Sequence, residues 1–144
     1  MKKIGKFLLP VMLLLALNQK INAQESLYKR LGGYDAIAAV TDDFIGRLAT
    51  DKVLSRFFAA SSDDTKHKIR QHIVDLLCNV TGGPCIYMGR TMKDAHKGMK
   101  ISESDWTITV RLLIESLNKF KVPQKEQDDF LAIVSSVKKD IVEV

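Results

Sequence analysis

The chain has 144 residues, 46% of them hydrophobic and 27% charged, which suits one domain and not two. Its 22 basic and 17 acidic residues give a formal charge of +5, but Lys2, Lys3, Lys6 and Lys20 lie in the first 23 residues, where there is no acidic residue. Beyond that point 18 basic residues face 17 acidic ones, and the basic stripe that nucleic-acid binding needs is excluded.

The N-terminal stretch has a charged start, the apolar run "FLLPVMLLLAL" (Phe7 to Leu17) and a polar patch ending in "INA" (Ile21 to Ala23). That layout predicts a secretory signal peptide over residues 1–23, cut after Ala23. The run is too short to cross a bilayer as a mature helix. Gln24, not a cysteine, stands directly after the cut, which argues against a lipid anchor. The expectation is a periplasmic or secreted domain over 24–144, off the membrane once cleaved.

That domain reads as all-α, with no sustained alternating pattern. Ser26 to Leu31 predicts a short helical turn ended by Gly32-Gly33. A second helix starts near Tyr34 or Asp35, with Ile37, Val40, Phe44 and Leu48 on its buried face. "TDKVLSRFFA" (Thr50 to Ala59) predicts a short helix opened by Thr50 or Asp51, and "SSDD" (Ser61 to Asp64) caps the next one. This helix runs from about Asp63 to Val80, with the stripe Ile69, His72, Ile73, Leu76, Leu77 and Val80. "TGGP" (Thr81 to Pro84) ends it, and an irregular loop leads to a short helix closing near Gly98. "SESD" (Ser102 to Asp105) resembles a capping box ahead of Trp106, Val110, Leu113, Leu117 and Phe120. Pro123 suits the first turn of a last helix striped by Phe130, Ile133, Val134, Val137 and Ile141.

Of the three histidines, His67 lies between two lysines and reads as solvated. His72 lies on an apolar stripe, where burial demands a hydrogen bond or a ligand. His96 lies one turn after Met92 on a short helix. Pattern alone leaves both open between a satisfied core histidine and a metal ligand. The two cysteines, Cys78 and Cys85, could pair in an oxidising compartment or stay free. No phosphate-binding glycine fingerprint, nucleophile elbow, CxxCH motif or zinc spacing is present.

The order "LYKRLGGYDAI", "DDF", "RFF", "GGP…Y.GR.M..AH.G..I" and a tryptophan ten residues after the histidine resembles a truncated haemoglobin of group I, the bacterial-like globins. The resemblance runs from about Ser26 to Val142. It implies a two-over-two helical sandwich holding haem b, iron protoporphyrin IX. His96 then stands at the proximal ligand position, and Phe58, preceded by Phe57, packs on the porphyrin. Arg90 and Lys93 either pair with the propionates or stay solvated. The distal side departs from the family: after Phe44, Ile45 stands where the family has tyrosine. Ile73 stands at the usual glutamine position, with Ile69 one turn earlier. The same alignment places His72 where some members supply a sixth iron ligand. It either ligates iron at rest or sits at the haem edge, bonding a propionate or water. A one-residue gap would instead bring Gln71 into the pocket.

The resemblance implies a diatomic gas ligand: oxygen, nitric oxide or carbon monoxide. Two alternatives stand beside reversible binding. One is nitric oxide dioxygenation, in which nitric oxide, dioxygen and one electron give nitrate. The other is haem electron transfer. Either needs an electron donor outside the chain, since no flavin or nicotinamide domain is present. The expected state is a monomer or weak dimer.

Overall fold

The computed structural model describes residues 24–144, and the expected leader, residues 1–23, lies outside the described residues. The described residues form seven α-helices and a 3₁₀ turn, with no strand. Helix α1 (Leu27–Arg30) is capped by Ser26. The chain reverses at Gly32 and enters α2 (Gly33–Thr50). Gly32 has φ +96°, and a Cβ there would stand 2.9 Å from that of Ala36, so only glycine makes this corner.

The Asp51 carboxylate accepts from Val53 and Leu54 N–H at 2.8 and 3.0 Å, starting the 3₁₀ turn Leu54–Phe57. Ser62 caps α3 (Asp63–Val80). Thr91 caps the five-residue α4 (Met92–His96). The expected capping box opens α5 (Glu103–Lys119): Ser102 and Asp105 satisfy each other's backbone N–H. Pro123 stands just ahead of α6 (Gln124–Ser136), and α7 (Lys138–Ile141) follows.

Helix α2 packs against both α3 and α5. One apolar cluster joins Leu27, Val40, Leu113, Leu117 and Phe130. A second joins Leu48, Leu54 and Leu112, flanked by Phe44, Phe57, Phe58 and Ile108. Each buried Leu or Phe contributes about 1.5–3 kcal/mol relative to exposure. No helix among the described residues is long and apolar enough to cross a membrane.

Three stripes differ from expectation. The last long helix breaks at Val137, whose ψ of 0° ends α6 before α7 begins. Phe120 is the C-cap of α5 and is partly exposed instead of continuing the buried stripe. On α3 the fully buried residues are Val74 and Cys78, which the periodic reading did not include. An eighteen-residue helix carries two part-apolar faces, and spacing alone does not say which one meets the core.

Charged side chains fasten the helices to one another. Arg30 reaches Glu126 at 2.7 Å and Asp129 at 2.6 Å, tying α1 to α6. Arg70 holds both oxygens of Asp42, at 2.7 and 2.9 Å, tying α3 to α2. Asp43 accepts from Arg47 Nε at 2.7 Å, from Ser116 Oγ at 2.8 Å and from Lys119, tying α2 to α5.

The Arg47 guanidinium, then Lys119 and Ser116, hold the Asp43 carboxyl far below the usual range. Its folded-state value lies below that of an unfolded aspartate, about 3.9. The stabilisation is therefore complete above about pH 4 and drains away as pH falls through the lower folded value. Asp43→Asn should cost roughly 1–3 kcal/mol at pH 7 and progressively less below pH ~4. Urea unfolding of both proteins between about pH 3 and 7 measures the difference.

Candidate functional site

His96 is the last residue of α4, which Thr91 starts by accepting from Asp94 N–H at 3.1 Å. Its Nδ1 lies 2.8 Å from the Met92 carbonyl oxygen. A carbonyl only accepts, so Nδ1 carries the proton and Nε2 keeps its lone pair. This is the tautomer a metal-ligating imidazole requires. The ring is half-buried.

The segment behind it is held from the far end of the chain. Glu143 accepts from Gly98 N–H at 2.7 Å and from Lys100 N–H at 2.6 Å. The Ile101 carbonyl accepts from Glu143 N–H at 2.8 Å and Val144 N–H at 3.3 Å. These two backbone donors, Gly98 N–H and then Lys100 N–H, lower the Glu143 pKa, so it stays an anion.

On α3, Ile69, Ile73 and Leu76 are half-buried, while His72 and Val80 are exposed. The expectation of a buried His72 is corrected here: at about 100° per residue it stands roughly 140° around the helix from the line of Val74 and Cys78, the residues that α3 sends into the core. The His72 ring is met edge-on by Tyr87, with centroids 6.1 Å apart and planes at 87°. Gln71 is engaged elsewhere. Its amide donates to the Tyr34 hydroxyl and to Asp75, both at 2.9 Å, toward α2 and its own helix. His67 is exposed, as are Arg90 and Lys93.

Phe44 and Ile45 of α2 are half-buried, as are Phe57 and Phe58. Phe44, Phe57 and Phe58 meet in one cluster. The two phenylalanines after α2 are set by Arg56, whose guanidinium lies 4.3 Å from the Phe57 ring centre. Its Nη2 donates to both Asp105 oxygens at 2.7 Å. The Ser102 backbone N–H and then Arg56 hold the Asp105 carboxyl below its usual range.

Cys78 and Cys85, left open by the sequence, are joined, with Cα atoms 5.7 Å apart. The bridge ties the end of α3 to the loop that leads to α4. Gly83 N–H donates to the Cys78 carbonyl at 2.8 Å, and the Asn79 amide donates to the Cys85 carbonyl at 2.9 Å. Sequence reading gave no role to Tyr87 or Glu143. Tyr87 stands inside the motif "Y.GR", which was its one visible signal, and nothing local marks Glu143.

Among the described residues the chain therefore offers an imidazole with a free Nε2, apolar side chains on α2, the 3₁₀ turn and α3 that the core leaves part-open, and two exposed cations, Arg90 and Lys93, six and three residues before the imidazole. These suit a flat apolar ring with a metal at its centre and anionic groups at its edge. The sequence profile of the bacterial-like globins matches residues 26–143.

The chain belongs to the bacterial-like globin family.

This globin is 26% identical over 122 residues to the group 1 truncated hemoglobin of Tetrahymena pyriformis, covering 85% of this chain and 98% of that one. It is 33% identical over 92 residues to the group 1 truncated hemoglobin GlbN of Nostoc sp. (strain MUN 8820), covering 64% and 75%. Its fold superposes on the crystal structure of the Tetrahymena pyriformis protein in the Fe(III) form with a TM-score of 0.76, at 25% identity, over 83% of this chain and 100% of that one. Against the 2/2 hemoglobin of Synechococcus sp. PCC 7002, in the cyanomet state with covalently attached heme, the score is 0.74 at 27% identity, over 82% and 98%. The seven-helix globin is thus a member of the two-over-two fold class expected from its sequence.

Proposed function

We propose that this globin binds haem b through His96 and takes up a diatomic gas, dioxygen, nitric oxide or carbon monoxide, on the opposite side. The observation that carries this reading is the hydrogen bond from His96 Nδ1 to the Met92 carbonyl, 2.8 Å, which leaves Nε2 as the ligating atom. Bound haem supplies an iron with a coordination position that a small ligand can fill. The chain supplies the rest. Phe44, Phe58, Ile69 and Ile73 offer apolar surface that a porphyrin would cover, and water leaves with it. Arg90 and Lys93 are free to pair with propionates.

Ile45, Ile69 and Ile73 have no side-chain donor, so a partly anionic bound ligand gains no hydrogen bond from them. The loss of one such bond costs on the order of 1.5–3 kcal/mol, or roughly tenfold to a hundredfold in affinity. His72 would hold the iron as a second ligand in our reading, and a gas would then compete with its imidazole. Any electrons the bound haem needed would come from a separate donor. The protein works in the periplasm or outside the cell, a reading supported by the leader-like start and by the Cys78–Cys85 pair, which suits an oxidising compartment.

Absorption spectra of the hemin-reconstituted protein test this. The expected result is a low-spin six-coordinate spectrum in both oxidation states, with His72→Leu giving a high-spin spectrum. A five-coordinate ferrous spectrum in the unaltered protein would remove His72 as a ligand, and a colourless protein would remove the haem reading itself. Mass spectrometry of the exported protein should find Gln24 as its first residue.

A further inference from the structure

We propose that Tyr87 is a positioning residue for His72, and that the Cys78–Cys85 bridge holds Tyr87 in place for it. The proposal rests on the reading of His72 as an iron ligand. His72 stands exposed on α3, where an imidazole is free to sample several rotamers. The ring packed against it is Tyr87, at 6.1 Å and 87°, the edge-to-face arrangement that aromatic pairs prefer.

Tyr87 is itself fixed on three sides. Its hydroxyl donates to the Arg90 carbonyl at 2.7 Å. A side chain at Gly89 would collide with its ring, so the glycine makes room for it. Cys85, two residues earlier, is bonded to Cys78, a fully buried residue of α3 itself. The loop therefore moves with the helix that carries His72. Its two flanking residues are turned out: Ile86 is 74% and Met88 83% exposed, while Tyr87 is turned in. Leaving two large apolar residues in water to bring one tyrosine inward is unfavourable unless the tyrosine has a task. Burial also raises the Tyr87 pKa, so the ring stays a neutral phenol.

A held imidazole rebinds iron sooner than a free one and gives way to a gas more slowly. Carbon monoxide binding to the ferrous haem-loaded protein, followed by stopped flow, reads this directly. Tyr87→Ala should raise the observed rate about threefold to tenfold, the range an aromatic pair supports, and lower the low-spin fraction. Tyr87→Phe keeps the ring but gives up the bond to the Arg90 carbonyl, and should fall between the unaltered protein and Tyr87→Ala. Tyr87→Leu keeps apolar bulk and should behave like Tyr87→Ala, which covers the case where the alanine variant folds poorly. The pair Cys78→Ser/Cys85→Ser should shift the rate in the same direction and add little to Tyr87→Ala.

The deciding comparison uses a His72→Leu background. There Tyr87→Ala should leave the carbon monoxide rate unchanged, because no imidazole remains to be placed. An equal effect of Tyr87→Ala with and without His72 overturns the proposal, as does no effect in either. A low-spin unaltered protein that ignores Tyr87 substitutions defeats the positioning role alone. A five-coordinate unaltered protein defeats His72 ligation and the positioning role together.

Discussion

His96→Gly should leave a folded protein that no longer retains haem, weakened by at least about a hundredfold. The reasoning starts at the backbone. Met92 presents its carbonyl 2.8 Å from Nδ1, one helical turn back, so the proton sits on Nδ1 and the lone pair on Nε2. No other histidine shares that arrangement: His67 and His72 are exposed residues of α3. Glycine removes the imidazole and leaves space for a free one. Millimolar imidazole should therefore restore the Soret band, while the same addition to the unaltered protein changes nothing on the His96 side. Retention of an unchanged spectrum by His96→Gly would refute the ligand assignment. Circular dichroism separates this loss from unfolding, since α4 is short and exposed and little of the core depends on it.

Gly83→Ala should cost roughly 3 kcal/mol, a fall of about 10 °C in Tm. A Cβ at this position would lie 2.5 Å from Tyr28 Cδ2 and 2.7 Å from both the carbonyl oxygen and the sulfur of Cys78. Two of those atoms belong to backbone or a bridge and cannot step aside. The Gly83 N–H also donates to that same Cys78 carbonyl, so a shift to relieve the clash breaks a hydrogen bond. Gly82 contrasts with it. Its φ is +86°, and the cost of a side chain there is conformational first. Thermal unfolding under oxidising conditions measures the Gly83→Ala effect, and thiol titration shows whether the bridge still closes.

Much of this was legible from local rules. Ser62 and the Ser102–Asp105 box announced their helices, because a cap acts on its own first turn. The stripe of α2 was legible too, since Ile37, Val40 and Leu48 meet the core at ordinary spacing. The His96 position rested on a resemblance, and its tautomer needed coordinates.

Other features depend on partners far away in the chain. Arg30 finds Glu126 and Asp129 across 96 and 99 residues, and Asp43 meets Lys119 across 76, between α2 and α5. No window along the sequence holds both members. The exposure of His72 departs from its apolar stripe for a related reason. Its spacing from Ile69 and Leu76 is helical, but the core meets α3 along Val74 and Cys78. The joining of Cys78 to Cys85 needed the turn at Gly82-Gly83, which brings the two together.

The grip of Glu143 on Gly98 and Lys100 has a practical bearing on any shortened version of this protein. A polypeptide clipped ahead of that glutamate keeps every helix described here yet loses the latch behind the His96 imidazole. Such a preparation would pass a helicity assay and still hold its pigment loosely, so pigment content, not secondary structure, is the measure of an intact sample.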